Sequence, residues 1–316
     1  MKWKKEHIFL LVIIAALAAY LVVHKSGRTH YVLPSVDRIE AKDITRLLIR
    51  NRDTVITLTK KGENWIVEPQ GYPADKGIIN SLLEDIGGLT LTALASEAGN
   101  EAVYELDAGH RIGVEAYQGD KLLRKAEIGK TAASGGHTFV ELDGHPVIFH
   151  ADNDLRSAFD KTVPDLRDKT VMKVDGDIAS IILSKGVKTL KIEKSPPPVE
   201  NAKKKAPGGH PEKQEVGPHW VAGKKPANDA QVDDLINNFS DLTCDSFVEG
   251  KEKKDFHAPL YTVSLRGAKT YALSIYRGKD KAYVAVSSES PYPFKLSEWK
   301  AKKIMKNFGS LTSSAR

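Results

Sequence analysis

Three histidines, His137, His145 and His150, come closest in type and spacing to a metal centre. Imidazole nitrogens bind zinc, and a zinc-bound water would make hydrolysis the expected chemistry. The three follow no His-Glu-x-x-His pattern, and Gly136 and Gly144 predict turns directly beside two of them. The sequence therefore favours solvent-exposed histidines in turns. It predicts no metal, and it keeps a hydrolase only as a remote alternative.

Residues 129–131, Gly-Lys-Thr, resemble the end of a phosphate-binding loop. That loop also needs a glycine at position 124, where this chain has Arg124, and it needs a strand-to-helix context in place of a hairpin. Ser134 lacks the Gly-x-Ser-x-Gly pattern that exposes a nucleophile on a sharp turn. We therefore predict a non-enzymatic protein with no cofactor and no catalytic residue.

Cys244 is the only cysteine of the chain. A single thiol excludes an intramolecular disulfide and a cysteine-based zinc cluster. Its position in a predicted strand indicates a buried residue that behaves as a small hydrophobic group.

The net charge of +6 comes partly from two groups of lysines. One group is residues 203–205, and the other comprises Lys300, Lys302, Lys303 and Lys306 in the last predicted helix. No aromatic residues alternate with these lysines, so the pattern does not predict nucleic-acid binding. Anionic lipid or an envelope polysaccharide is the alternative ligand that such lysines would attract.

Residues 8–23 contain no charge and follow Lys2, Lys4 and Lys5. This pattern predicts a transmembrane signal anchor over residues 1–25, although a cleaved secretory signal stays open. The predicted orientation is a single pass through the inner membrane, with the N-terminus in the cytoplasm and the rest in the periplasm. The anchor residues are Ile8, Leu11, Ile14, Leu17 and Leu21.

The pattern of residues 43–49 returns at 177–183, with apolar residues at the same places after an aspartate. A tryptophan and an apolar helical stripe follow in both places. The repeat predicts two α+β units, residues 36–170 and 171–311, each a mostly antiparallel sheet with packed helices. The predicted core residues of the repeat are Ile44, Leu47, Trp65, Leu82, Ile178, Ile181, Trp220 and Leu235.

Residues 195–219 interrupt the second copy with proline, glycine and lysine and few apolar side chains. Such a composition buries too little apolar surface to order itself, so it predicts a disordered insertion.

Several short patterns occur in a fixed order along the chain. They include Trp65-x-Val67, Pro73-Ala74-Asp75, Tyr104-Glu105-Leu106, Ile128-Gly129-Lys130 and residues 165–170. In this order they resemble a bacterial envelope family catalogued as domain of unknown function 4340, here in two tandem copies behind an anchor. The second copy lacks an element like Gly129-Lys130.

The resemblance implies a membrane-anchored extracytoplasmic protein without established catalytic residues. It also implies an accessory role beside gliding-type ABC export systems. The leading hypothesis is therefore a protein-interaction or accessory subunit of such a transporter complex. The alternatives are an envelope polysaccharide- or lipid-binding module and, remotely, a hydrolase.

Overall fold

The computed structural model describes residues 5–23, 31–52, 54–133, 135–143, 145–195, 219–278 and 282–312. Nearly all of the insertion that we predict to be disordered, residues 195–219, lies outside these residues. The chain divides into two compact units, Met1–Arg167 and Asp168–Arg316.

The described part of the first unit contains one nine-stranded antiparallel sheet. Its strands are β1 (Arg46–Asn51), β2 (Thr54–Lys61), β3 (Asn64–Glu68), β4 (Tyr72–Pro73), β5 (Leu91–Ser96), β6 (Ile112–Gln118), β7 (Lys121–Thr131), β8 (His137–Leu142) and β9 (His145–Asp152). Their order across the sheet is β4-β3-β2-β1-β6-β7-β8-β9-β5.

Strand β1 shows why the sheet has one apolar face. Successive side chains of a strand point to opposite faces, so Leu47 and Ile49 share one face and Arg46 and Arg50 the other. Leu47 and Ile49 are fully buried in the core. The described residues of this unit form three α-helices besides the N-terminal one, namely α2 (Lys76–Gly87), α3 (Leu155–Phe159) and α4 (Val163–Leu166).

Helix α2 begins after Asp75, whose carboxylate accepts a hydrogen bond from the amide of Ile78 at 3.0 Å. This N-cap satisfies an amide that has no partner within the helix. The apolar residues recur at helical spacing and form a buried stripe. They are Ile79, Leu82, Leu83 and Ile86.

The second unit contains a nine-stranded sheet and a separate two-stranded one. The strands are β10 (Thr170–Met172), β11 (Ser180–Lys185), β12 (Lys188–Ser195), β13 (His219–Ala222), β14 (Lys225–Pro226), β15 (Leu242–Thr243), β16 (Ser246–Phe247), β17 (Tyr261–Arg266), β18 (Thr270–Arg277), β19 (Tyr283–Ser287) and β20 (Phe294–Leu296). The helices are α5 (Asp229–Asn237), α6 (Glu298–Ile304) and α7 (Phe308–Leu311). The large sheet has the order β14-β13-β12-β11-β17-β18-β19-β20-β16, which repeats the connectivity of the first sheet.

An equivalent backbone hydrogen bond occurs in each of the two units. The amide of Asp75 donates to the carbonyl of Leu166, and the amide of Asn228 donates to that of Leu311, each at 2.9 Å. Each bond joins the start of the long helix to the end of its own unit.

The eight predicted core residues of the repeat are all buried, with exposed fractions between 0% and 6%. Each set of four belongs to the hydrophobic core of its own unit.

Helix α1 (Lys5–Val23) forms where the sequence predicts a membrane anchor. None of the helices in the described residues is long and apolar enough to cross a membrane. The transmembrane part of the predicted fold class is therefore wrong. Lys5 and Glu6 occupy the first turn, and the remaining uncharged stretch spans about 24 Å, against about 30 Å for a hydrocarbon core. Of the predicted anchor residues, Ile14 and Leu17 are each 56% exposed, while the side chains of Ile8, Leu11 and Leu21 lie outside the described part.

Candidate functional site

The three histidines considered as metal ligands do not form one cluster. His137 and His150 lie at the same end of the β8–β9 pair, with ring centroids 6.2 Å apart. His145 lies at the other end of that pair, opposite Leu142. Among the described residues, no group of three histidine, cysteine, aspartate or glutamate side chains could hold a metal ion.

His150 packs edge-on against Phe139, with ring centroids 4.6 Å apart. Burial, and then the charge of nearby His137, lower the pKa of His150. The unfolded chain therefore binds more protons than the folded chain below the ordinary histidine pKa of about 6.5, so acid favours unfolding.

We expect the urea midpoint of the first unit to fall as the pH is lowered from about 7 to about 5, and to fall less in His150→Gln. Urea unfolding at several pH values measures this, with His257→Gln as the control because His257 is exposed in the second unit. If the urea midpoint depended on pH identically in wild type and His150→Gln, protonation of His150 would not be the cause of the loss of stability in acid.

The Gly-Lys-Thr sequence does not form a phosphate-binding loop, because residues 129–131 lie inside strand β7. A Cβ atom on Gly129 would lie 2.3 Å from the carbonyl oxygen of Tyr104 and 2.9 Å from Cγ of Leu106. The segment from Tyr104 to Leu106 thus passes directly over Gly129. Two of the patterns that carry the family resemblance therefore meet in space, and their contact is one of packing. Ser134 lies outside the described residues.

Cys244 is buried, and burial raises the pKa of its thiol to about 11. The reactive thiolate is therefore scarce at neutral pH, which is typical of a structural cysteine.

The lysines of helix α6 and the residues after it are paired within their own unit. Lys300 lies 2.8 Å from Asp245, and Lys302 and Lys306 each lie 2.6 Å from a carboxylate, those of Glu298 and Asp234 respectively. Lys303 lies over the ring of Trp299 at 4.0 Å. These lysines therefore do not form a bare basic patch, and residues 203–205 lie outside the described part.

A set of charged side chains occupies the face of the first sheet that is opposite the helices. We call it the charged face, and it comprises Arg46 and Arg50 on β1, Glu115 and Tyr117 on β6, Lys125 and Glu127 on β7, and Glu141 on β8. The register aligns them across four neighbouring strands, because Glu115 lies opposite Lys125 and Glu127 lies opposite Glu141.

Glu115 lies at the centre of the charged face and is only 8% exposed. Arg50 and Tyr117 both donate hydrogen bonds to its carboxylate. Burial pushes the pKa of Glu115 upward, but the bonds from Arg50 and Tyr117 outweigh it and hold that pKa below its ordinary value. The guanidinium of Arg46 stacks 4.4 Å from the centre of the Tyr117 ring, which extends the network.

Two adjacent clefts open on the charged face. The basic cleft has a volume of about 290 Å³ and is lined by Arg50, Arg52, Arg111, Lys125, Glu115 and Glu127, with Ala108 and Gly113. The acidic cleft has a volume of about 330 Å³ and is lined by Glu127, Glu141, Asp143, His145, Arg111 and Lys125, with Leu142. The two share Arg111, Lys125 and Glu127 and so form one continuous groove of mixed charge.

The second sheet provides a comparison at equivalent strand positions. The residues equivalent to Arg46, Arg50, Glu115, Lys125, Glu127 and Glu141 are Ser180, Ser184, Ser264, Ala272, Ser274 and Val286. None of them is charged, although this face is also at least partly exposed. The second sheet therefore forms without charges at these six positions. At the seventh, that of Tyr117, the second sheet carries Arg266.

Part of the charged face is visible in the sequence. The alternation of Arg46 and Arg50 with Leu47 and Ile49 predicts two basic side chains on the open face of β1. The pairing of β1 with β6 brings Glu115 beside Arg50 across 65 residues, and no local pattern predicts that contact.

Comparison with known proteins identifies one family. The profile of the family described as Domain of unknown function (DUF4340) matches residues 65–259, which is more than half of the chain. The match is one continuous range from β3 to the residues before β17, so the expectation of two tandem family copies stays a prediction. No curated protein and no solved structure matches the chain. The resemblance expected from the sequence is thus confirmed, and the chain belongs to this family of domains of unknown function.

Proposed function

We propose that the chain is a non-enzymatic binding protein whose first unit binds a protein partner through the charged face. The observation that carries this proposal is the contrast between the two sheets. They share one strand order, yet six charged positions of the first are uncharged in the second.

The mixture of signs favours a protein as the partner. A surface of alternating cations and carboxylates matches a complementary mixed surface and repels misplaced charges, which sets the orientation of docking. A polyanion such as a lipid headgroup layer would be attracted by the arginines but repelled by Glu115, Glu127 and Glu141. The pairing of Lys300, Lys302 and Lys306 with carboxylates of their own unit gives no further support to lipid or polysaccharide binding.

The class of partner follows from the family resemblance. A subunit of an ABC-type export complex, reached from the periplasmic side, is the partner that we propose.

Fractionation of cells that express the tagged full chain tests the compartment. Recovery of the chain with cytoplasmic markers would contradict it.

The test of the binding face is a matched pair of variants in the full chain. Lys125→Glu reverses a charge on β7, and Ala272→Glu adds the same charge at the equivalent position of β18. Tagged chains are purified from native cells, and the co-purifying proteins are quantified by mass spectrometry. We expect Lys125→Glu to lower the recovery of a stoichiometric partner about tenfold, because like charges across an interface oppose binding.

The control Ala272→Glu is expected to recover the partner at the wild-type level. Circular dichroism of both variants checks that each sheet still folds. Equal recovery from wild type and Lys125→Glu, or equal losses from both variants, would contradict the proposal.

A further inference from the structure

The two clefts of the charged face differ in their balance of charge. Four cations and two carboxylates line the basic cleft, and two cations, three carboxylates and His145 line the acidic cleft. We propose that the groove binds a protein segment that carries an acidic side chain next to a basic one. The acidic side chain enters the basic cleft, and the basic side chain enters the acidic cleft. This inference rests on the proposed function and specifies the partner's chemistry.

In the basic cleft, the carboxylates are engaged by residues of the chain itself. Glu115 accepts from Arg50 and Tyr117, and Nε of Arg111 lies 3.5 Å from Glu127. Arg52, in the turn between β1 and β2, has a left-handed backbone with φ of 47°. Within the described part of the chain, neither Arg52 nor Lys125 forms an ion pair. A carboxylate that enters this cleft therefore meets two cations that have no carboxylate oxygen of the described residues within 4 Å, although the charge of Lys125 also acts on Glu115 and Glu141.

In the acidic cleft, the carboxylates outnumber the lysine and arginine side chains. Burial, and then the neighbouring charges of Glu101 and Glu127, raise the pKa of Glu141. Burial contributes most to this rise, repulsion by the carboxylates adds to it, and the charges of Arg111 and Lys125 offset part of it. Among the described residues Glu141 has no ion-pair partner, and Asp143 beside it is exposed. A lysine or arginine side chain would relieve this repulsion.

The clefts are joined through Arg111, Lys125 and Glu127, so one short segment reaches both. A segment of only acidic residues would meet the carboxylates of the acidic cleft, and a segment of only basic residues would meet the cations of the basic cleft. The arrangement therefore favours a ligand whose opposite charges are separated along its length over one of uniform charge.

Three fluorescein-labelled peptides with blocked ends test the inference on the full chain. They are four glutamates followed by four lysines, eight glutamates, and eight lysines. Fluorescence anisotropy at low salt measures the dissociation constants. We expect the mixed peptide to bind about tenfold more tightly than either uniform peptide. Lys125→Glu and Glu141→Lys should each weaken the mixed peptide, and Ala272→Glu should not.

A uniform peptide that binds as tightly as the mixed one would overturn the inference, as would a mixed peptide that is insensitive to both reversals. The two proposals are separable. Loss of the native partner in Lys125→Glu without preference for the mixed peptide would leave the proposed function standing and remove this inference. Unchanged partner recovery would remove the proposed function itself.

Discussion

Replacing Gly129 by alanine should lower the free energy of unfolding of the first unit by about 3 kcal/mol. The reason is that the added methyl group would clash with the packed backbone of the segment from Tyr104 to Leu106. The new Cβ would lie 2.3 Å from the carbonyl oxygen of Tyr104, a non-bonded contact that Cβ atoms in proteins essentially never make. Gly129 follows Ile128, the last residue of β7 that pairs with both neighbouring strands, and the segment over it contains buried Leu106. Either β7 or the segment from Tyr104 to Leu106 must move away.

Urea unfolding of the full chain, with hydrogen exchange to locate the change, measures this effect. Faster exchange should be confined to β7 and the segment over it. The control is Gly309→Ala, because the nearest atom to its added Cβ is Oδ1 of Asn307 at 3.7 Å. Similar unfolding midpoints for Gly129→Ala and Gly309→Ala would contradict the prediction, because they would show that the segment over β7 can shift at little cost in free energy.

Replacing Arg124 by methionine should cost about 2–3 kcal/mol, because it removes the charged donor from three backbone carbonyls, although that of Gly87 keeps a backbone donor, the amide of Ile39 at 2.9 Å. The guanidinium of Arg124 donates to the carbonyls of Ile86 and Gly87 at the end of α2 and to that of Asp37. The last carbonyls of a helix have no partner within it, so this side chain serves as its C-terminal cap. Burial lowers the pKa of Arg124, which shows that the guanidinium is drawn out of water to make these bonds.

Unfolding of the Arg124→Met chain tests this, with the α2 amides followed by hydrogen exchange. Lys121→Met is the control, since Lys121 is exposed at the start of the same strand. Methionine keeps most of the length and the apolar stem of arginine, so the difference reports the lost hydrogen bonds. Unchanged exchange in the last turn of α2 would contradict the capping role.

Local patterns in the sequence predict the elements whose causes are local. The stripe of Ile79, Leu82, Leu83 and Ile86 predicts the buried face of α2, and the alternation in β1 predicts its buried residues. The repeated aspartate pattern predicts two related sheets because both copies keep the same apolar spacing.

Contacts between distant segments were not predictable in this way. Residues 129–131 only resemble the end of a phosphate-binding loop, and the sequence does not predict the packing role of Gly129, which depends on Tyr104 on a separate segment of the chain. The charged face depends on the register of β1 against β6, and that register emerges only when the sheet is assembled. The N-terminal helix shows a different error, since an uncharged stretch behind Lys2, Lys4 and Lys5 predicts a membrane span, yet the helix is not long and apolar enough to cross a membrane.

The identical strand order of the two sheets creates a hazard during folding. Strands of one unit can pair with the sheet of the other, a characteristic misassembly of chains with similar neighbouring domains. If β11 took the place of β1, Ser184 would stand where Arg50 stands, and Glu115 would lose its guanidinium. Leaving a buried carboxylate without its cation costs about 3 kcal/mol. The charge network of the first sheet therefore disfavours strand exchange, because a strand placed beside β6 without the matching arginine leaves Glu115 without its guanidinium.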